Sequence, residues 1–314
     1  FSMAEGETSQ SKAEFVPQEV PPLPVPPLGT YEELNRKCKD VFPMCFEGLK
    51  FAVQKGLSPH FQVSHTLSIS QVNTGYRFGA TFVGDSHITA NEAYPVILAD
   101  TDASGNTSAT ILHQFKNNIR MKLQSQIQDS QLAAAQCSLE HRGKLSTATL
   151  TMANIDLVNE SGVIAGQFLR RITDRFDVGA ELVYHYSKQI PGRQMSNLSY
   201  AARYTHPHWI GSVVLGKGLT SLNMSYYHKQ HPNLSFGVDF ETNFRTQESL
   251  TTLAYQAELP EEGVVMRASI DTNWTVGAVI EKRLSQFLPF TLALSGMLNH
   301  VKSAGRFGIG FIIG

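Results

Sequence analysis

The chain has 314 residues, with 26 Lys and Arg against 27 Asp and Glu, for a formal net charge of −1. That balance gives no basis for nucleic-acid binding. Charged residues are 17%, below the roughly 25% of average soluble domains, and no run reaches the roughly 18 apolar residues that a membrane-crossing helix needs.

Residues 1–29 form a polar and then proline-rich N-terminal segment, with Pro17, Pro21, Pro22, Pro24, Pro26 and Pro27. Such composition favours polyproline II, so residues 17–27 would span about 34 Å. The segment is either a disordered tail or a strap along or through a pore. The first 20 residues lack the apolar core of a secretory signal. The chain opens Phe1-Ser2, which places the native start elsewhere or at Met3. Cys38, Cys45 and Cys137 fit neither a disulfide framework nor a zinc site. Six Asn-x-Ser/Thr sequons, at Asn106, Asn159, Asn197, Asn223, Asn233 and Asn273, read as chance in a Ser/Thr/Asn-rich chain. Together these features suggest a reducing compartment and the outer membrane of an organelle.

Residues 30–43 form the one helix signal. Thr30 can cap it, with Glu33 placed for a capping box. Leu34, Cys38 and Val41 make a narrow apolar stripe, and Arg36, Lys37 and Lys39 lie elsewhere around the turn. Pro43 ends it. The stripe is too narrow for stable burial in a membrane surface. The helix is therefore expected inside a lumen, its bases facing acids such as Glu181.

From residue 44 to 314 the pattern is that of strands. Phe61, Val63, Leu67 and Ile69 alternate with Gln62, Ser64, Thr66 and Ser68. Phe176, Val178, Ala180, Leu182 and Tyr184 alternate with Asp177, Gly179 and Glu181. A period of two puts one set of side chains on each face of a sheet. Here the polar face is mostly Ser, Thr, Asn, Gln and Gly rather than Lys and Glu. About nineteen such segments, most of them 9–11 residues long, follow one another with short links. That is the length a tilted membrane strand needs. The fold class is all-β, a transmembrane β-barrel of about nineteen strands. The stretch 92–100 is the doubtful strand, because it holds Pro95, and the longest link is expected around it, over 85–106. Tyr184, Tyr186, Tyr204, Trp209, Tyr226, Tyr227 and Trp274 cluster near strand ends, as interfacial girdles do.

The ordered segments Gly29-Thr-Tyr-Glu-Glu, Glu47-Gly-Leu-Lys, Lys55-Gly-Leu-Ser, His60-Phe-Gln-Val, Gly179-Ala-Glu-Leu-Val-Tyr-His, Tyr226-Tyr-His-Lys, Asp271-Thr-Asn-Trp and Leu298-Asn-His resemble a known family. It is the channel-forming barrel subunit of the TOM complex, the translocase of the mitochondrial outer membrane, in its animal form. The likeness runs from Gly29 to Gly314. It implies nineteen strands, a parallel pairing of first with last, and a helix in the lumen. It implies multi-pass residence in the mitochondrial outer membrane. The implied partners are precursor polypeptides, receptor and small single-span subunits, membrane lipids and further copies of the barrel. Arg306, Gly308, Phe311 and Ile313 fit the polar-x-Gly-x-x-hydrophobic-x-hydrophobic β-signal of last strands in mitochondrial barrels. That implies reading by the sorting and assembly machinery.

No nucleophile, base and orienter combine into a catalytic set, and neither cofactor nor metal is expected. His206-Pro207-His208 reads as a turn. Gly216-Lys217-Gly218 lacks P-loop spacing and reads as a hairpin. The chemistry lies on the polar faces. With lipid outside, the lumen receives Asp177, Glu181, Asp239, Glu241, Asp271 and Glu281, all in later strands and placed to guide basic presequences. It also receives Arg120, Lys122, Glu140, Arg142, Arg203 and Arg267. Any one of these acids could instead pair with a lumenal Arg and only solvate the pore. A metabolite channel resembling the voltage-dependent anion channel would need a net basic lumen. A soluble all-β binding protein would need a charge-rich polar face and no detergent. An outer-membrane enzyme would need the missing catalytic set.

Overall fold

A computed structural model describes residues 28–314, apart from 72–73, 90–91, 116–117, 157–159, 189–191, 217 and 285–288. The polyproline expectation falls on 17–27, outside the described residues. The strands are β1 Gly48–Ser58, β2 Phe61–Ile69, β3 Gly75–Thr89, β4 Glu92–Asp102, β5 Thr107–Phe115, β6 Ile119–Gln128, β7 Gln131–Arg142, β8 Ser146–Asp156, β9 Ser161–Thr173 and β10 Phe176–Tyr186. They continue as β11 Gln194–Thr205, β12 Trp209–Gly216, β13 Ser221–His231, β14 Leu234–Asn243, β15 Glu248–Leu259, β16 Val264–Asp271, β17 Thr275–Arg283, β18 Phe290–Asn299 and β19 Ala304–Ile313.

Each strand pairs antiparallel with the next, and β1 and β19 close the sheet in parallel. The parity follows from the count: in an up-and-down order of nineteen strands, the first and last run the same way. Closure leaves no sheet edge to present unpaired backbone groups to lipid. The seam runs from Gly48 opposite Gly308 to Val53 opposite Ile313. Gly48 has φ +80°, and a Cβ there would strike the Ile69 carbonyl, so the chain can swing from the lumen into β1 only at a glycine.

The doubtful segment around Pro95 is a full strand, and no long link surrounds it. Pro95 lacks an N–H for the ladder. The ladder between β3 and β4 shifts between Val83 and Ser86, beside Gly84, whose missing Cβ would meet Pro95 Cδ at 2.5 Å. A bulge in the partner strand absorbs the proline.

Burial is inverted relative to a soluble domain. Phe51, Leu67, Phe78, Leu123, Leu182, Tyr200, Leu253 and Phe311 are exposed on the outer face. Ser138, Thr147, Gln167, Asp177, Ser199, Arg203 and Ser225 are among the buried polar residues inside. Tyr184, Tyr204 and Tyr226 are exposed among the outward-facing residues, and Trp209 makes tilted ring contacts with Tyr204 and Tyr226. Tyr227 departs from the girdle expectation. It sits opposite Gly237, with its hydroxyl 3.3 Å from Ser235 Oγ inside the barrel. Adjacent tyrosines in a strand cannot share a face.

The helix signal over 30–43 resolves into a 3-10 turn at Tyr31–Asn35 followed by a short α-helix, α1, at Arg36–Lys39. Thr30 N–H donates to Glu33 Oε2 at 3.1 Å, the expected back-reach of the capping box. The segment lies in the lumen. Cys38 Sγ donates to the carbonyls of Val238 at 3.4 Å and Tyr226 at 3.5 Å, and Leu34, Cys38 and Val41 are all buried.

This placement sets an outcome for thiol chemistry. Burial, and then the Asp239 charge, push the Cys38 thiol up to about 11, so the unreactive protonated form prevails at neutral pH. With Cys45 replaced, Cys38 should label slowly with a small water-soluble maleimide and not at all with a lipid-borne one. Cys137 pairs with outward Leu123 in β6 and should show the opposite preference. Rapid lipid-phase labelling of Cys38 would move the helix outside.

Candidate functional site: the lumen

Register places every charged residue expected in the lumen on the inward face. Asp177 opposes Arg171 and Arg203, and Glu181 opposes Gln167 and Ser199. Asp239 opposes Ser225, Glu241 opposes Asn223, and Asp271 opposes Thr252. Glu281 opposes Val265 and Ala293. Arg120, Lys122, Glu140 and Arg142 share one inward face across β6 and β7.

These acids are not equivalent. Asp177 is 1% exposed. Arg171 Nε donates to its Oδ1 at 2.8 Å, and Arg203 donates to Oδ2 through Nε at 3.0 Å and Nη2 at 2.6 Å. Arg203 Nη2 also donates to the Leu28 carbonyl at 3.2 Å. Asp177 is thus the centre of a buried clamp, and no side is left for a passing cation. Sequence reasoning grouped it with the guiding acids because its two arginine partners are set by register across three strands.

Glu181 accepts from Gln167 at 3.0 Å and lies near Tyr31, whose hydroxyl is pushed up to about 12 by burial and then by this charge. Glu281 and Arg267 form an ion pair at 3.5 Å. Asp271 Oδ1 accepts from the Thr275 N–H at 2.8 Å, closing the turn into β17. Glu140 pairs with Arg142 at 3.0 Å, and Arg142 reaches Glu33 at 4.0 Å. Arg120 lies over the Tyr94 ring at 5.4 Å. Glu241 is exposed to the lumen and accepts from Asn223 at 2.8 Å. Glu248, a neighbour at the same end of β15 that sequence reasoning missed, is exposed as well.

Of the helix bases expected to face lumenal acids such as Glu181, Lys39 meets one, Asp239, and the other two have different neighbours. Lys39 is near Asp239, Arg36 pairs with Glu33 at 3.6 Å, and Lys37 sits beside Arg203 and Lys229. At the seam, Phe311 and Ile313 lie on the outer face of β19. Gly308 faces inward beneath Phe46, and Arg306 pairs with Glu47 at 3.5 Å. Among the described residues no group of three or more His, Cys, Asp or Glu is arranged to hold a metal ion.

A closed sheet with an apolar exterior, a hydrogen-bonding interior and an internal N-terminal segment defines a membrane channel of the barrel type. The family model for eukaryotic porins matches residues 27–310. The chain is 64% identical over 293 residues to the mitochondrial import receptor subunit TOM40 homolog of Caenorhabditis briggsae, covering 93% of this chain and 96% of that one. It is 45% identical to TOM40 homolog 2 of Drosophila melanogaster, covering 91% and 84%. It is 40% identical to the Homo sapiens TOM40 homolog, covering 92% and 79%. The chain belongs to the eukaryotic porin family and, within it, to the TOM40 homologues.

Proposed function

We propose that this barrel is the protein-conducting channel of the mitochondrial outer membrane, a multi-pass subunit of the TOM complex. Unfolded precursors pass through its lumen, and carboxylates open to water guide their basic presequences. The observation that carries this reading is the contrast within the lumen. Asp177 is locked between arginines, while Glu241 and Glu248 stand exposed among the uncharged Asn223, Asn243 and Ser221. Dispersed, solvated charges attract a basic segment only weakly, by about 1 kcal/mol at 4 Å. Conduction needs many weak sites rather than one tight one.

Size supports the same reading. Strands about 4.8 Å apart, tilted by roughly 40° and nineteen in number, give a backbone radius of roughly 19 Å. After side chains and an internal segment, that bore passes an extended polypeptide or, narrowly, one helix. A metabolite channel has less support, because the lumen mixes both signs of charge rather than favouring bases.

The test is block of single channels by a basic presequence peptide. The E241K/E248K double variant should still form open channels, with ion selectivity shifted toward anions, yet need about tenfold more peptide for half-block at low salt. The difference should shrink as salt rises. Equal block in both channels would remove these carboxylates from the guiding role. Sorting machinery, receptors, single-span subunits and further copies of the barrel are the remaining partners of this reading.

A further inference from the structure

We propose that residues 28–46 are a permanent part of the channel wall, seated where the barrel lacks side chains, so that a passing polypeptide meets this strap rather than the wall beneath it. This deepens the reading of the barrel as a protein-conducting channel and rests on it.

The seat is a diagonal row of inward glycines. Gly179 in β10 opens the row beside Tyr31: a Cβ there would meet Leu169 Cδ1 at 2.8 Å and the Phe168 carbonyl at 3.0 Å on the wall, and the Tyr31 ring at 3.2 Å. Gly237 in β14 lies under Cys38 and Phe42, where a Cβ would be 3.3 Å from the Cys38 carbonyl oxygen. Gly277 in β17 lies under Pro43 and Cys45, where it would be 2.9 Å from Cys45 Sγ. Gly308 in β19 lies under Phe46. None of the four is among the positive-φ glycines, so their backbone conformation is open to any residue. Glycine weakens a strand interior. At Gly237, Gly277 and Gly308 what it supplies is space that the strap fills, and at Gly179 the wall's Leu169 shares that space with Tyr31.

Polar contacts pin the strap along its length. The Leu28 carbonyl accepts from Arg203 at 3.2 Å, Asn35 accepts from the Ser212 hydroxyl, Cys38 Sγ bonds to β13 and β14 carbonyls, and the Phe46 N–H donates to Ser295 Oγ at 2.9 Å. Among the described residues, the buried apolar cluster is itself the joint between strap and wall: Leu28, Tyr31 and Leu34 against Leu169 and Ala201. A plug that swings out during transport would expose this cluster to the pore. The strap's other side offers the lumen Glu32, Arg36, Lys39, Asp40 and Met44, all exposed.

The glycine seat supplies its own test. In Gly277→Cys the new Cβ lies 2.9 Å from Cys45 Sγ, and in Gly237→Cys it lies 3.4 Å from Cys38 Sγ, both within reach of a disulfide with small adjustment. Each variant, with the other two native cysteines replaced, is oxidised and then reduced in the same planar bilayer. The measurements are single-channel conductance and passage of a basic presequence peptide. The expected result is that both pairs close, with an oxidised-to-reduced ratio of one for conductance and for passage. Loss of passage, or a changed conductance, that returns on reduction would overturn the proposal, as would failure of both pairs to close. If ions flow but peptide passes in neither redox state, the protein-conducting reading fails, and an unchanged conductance still upholds the fixed strap. As a second variant, Gly277→Leu should displace the strap and raise conductance above that of the unmodified channel. Unchanged conductance in that variant would also overturn the proposal.

Discussion

Replacing Asp177 by Ala should destabilise the barrel by about 3–5 kcal/mol, the usual cost of leaving buried charges without a partner. Two guanidinium groups depend on this one carboxylate, and both Arg203 and Asp177 are almost fully buried. Arg203 would also lose the anchor that aims its Nη2 at the Leu28 carbonyl. The loss should therefore spread to the strap, seen as faster water-phase labelling of Cys38. Asp177→Asn keeps an acceptor and should cost less. Thermal unfolding in detergent measures the first effect. A variant that unfolds like the parent, yet is blocked less by basic peptide, would return Asp177 to the guiding acids.

Closing the barrel should depend as heavily on Gly308. It faces Gly48 in the first pair of the parallel seam, and a side chain there would run into the Phe46 backbone carbonyl and ring. Backbone cannot step aside as a flexible side chain can. Gly308→Leu should therefore fail to give a closed, heat-resistant barrel, whether inserted in mitochondria or refolded in detergent. Phe311 faces outward beside Phe51, so Phe311→Ala should refold in detergent and conduct normally. It should still insert slowly in mitochondria if the last strand is read as a β-signal. Normal insertion of Phe311→Ala would end that reading, and a heat-stable Gly308→Leu barrel would end the seam argument.

Much of this architecture is legible in the chain. A strict period of two, repeated with short links, leaves little choice but a sheet of many strands, and the uncharged polar faces say which side meets water. The inward placement of Glu241, Arg267 and Glu281 follows from the same alternation. Pro95 misled because its missing N–H counts against a strand only until the partner strand's bulge is known. Tyr227 misled because clustering along the chain was weighed above alternation.

The charges show where local pattern stops being informative. Asp177 and Glu241 occupy the same kind of position, inward on a late strand. One is locked by two arginines and the other stands in water, because partners lie 6 and 26 residues away from Asp177 in the chain and are chosen by strand register. The glycines divide in the same way. Gly48 is explained by its own φ, whereas Gly237 and Gly277 are explained by a strap some 200 residues earlier. The sequence by itself determined a barrel of about nineteen strands with one of them in doubt, the lipid and water faces and the helix signal, since these depend on side chains a few positions apart. Only the tertiary structure decided which acids are free and where the strap rests, because those depend on contacts between residues that closure of the barrel brings together.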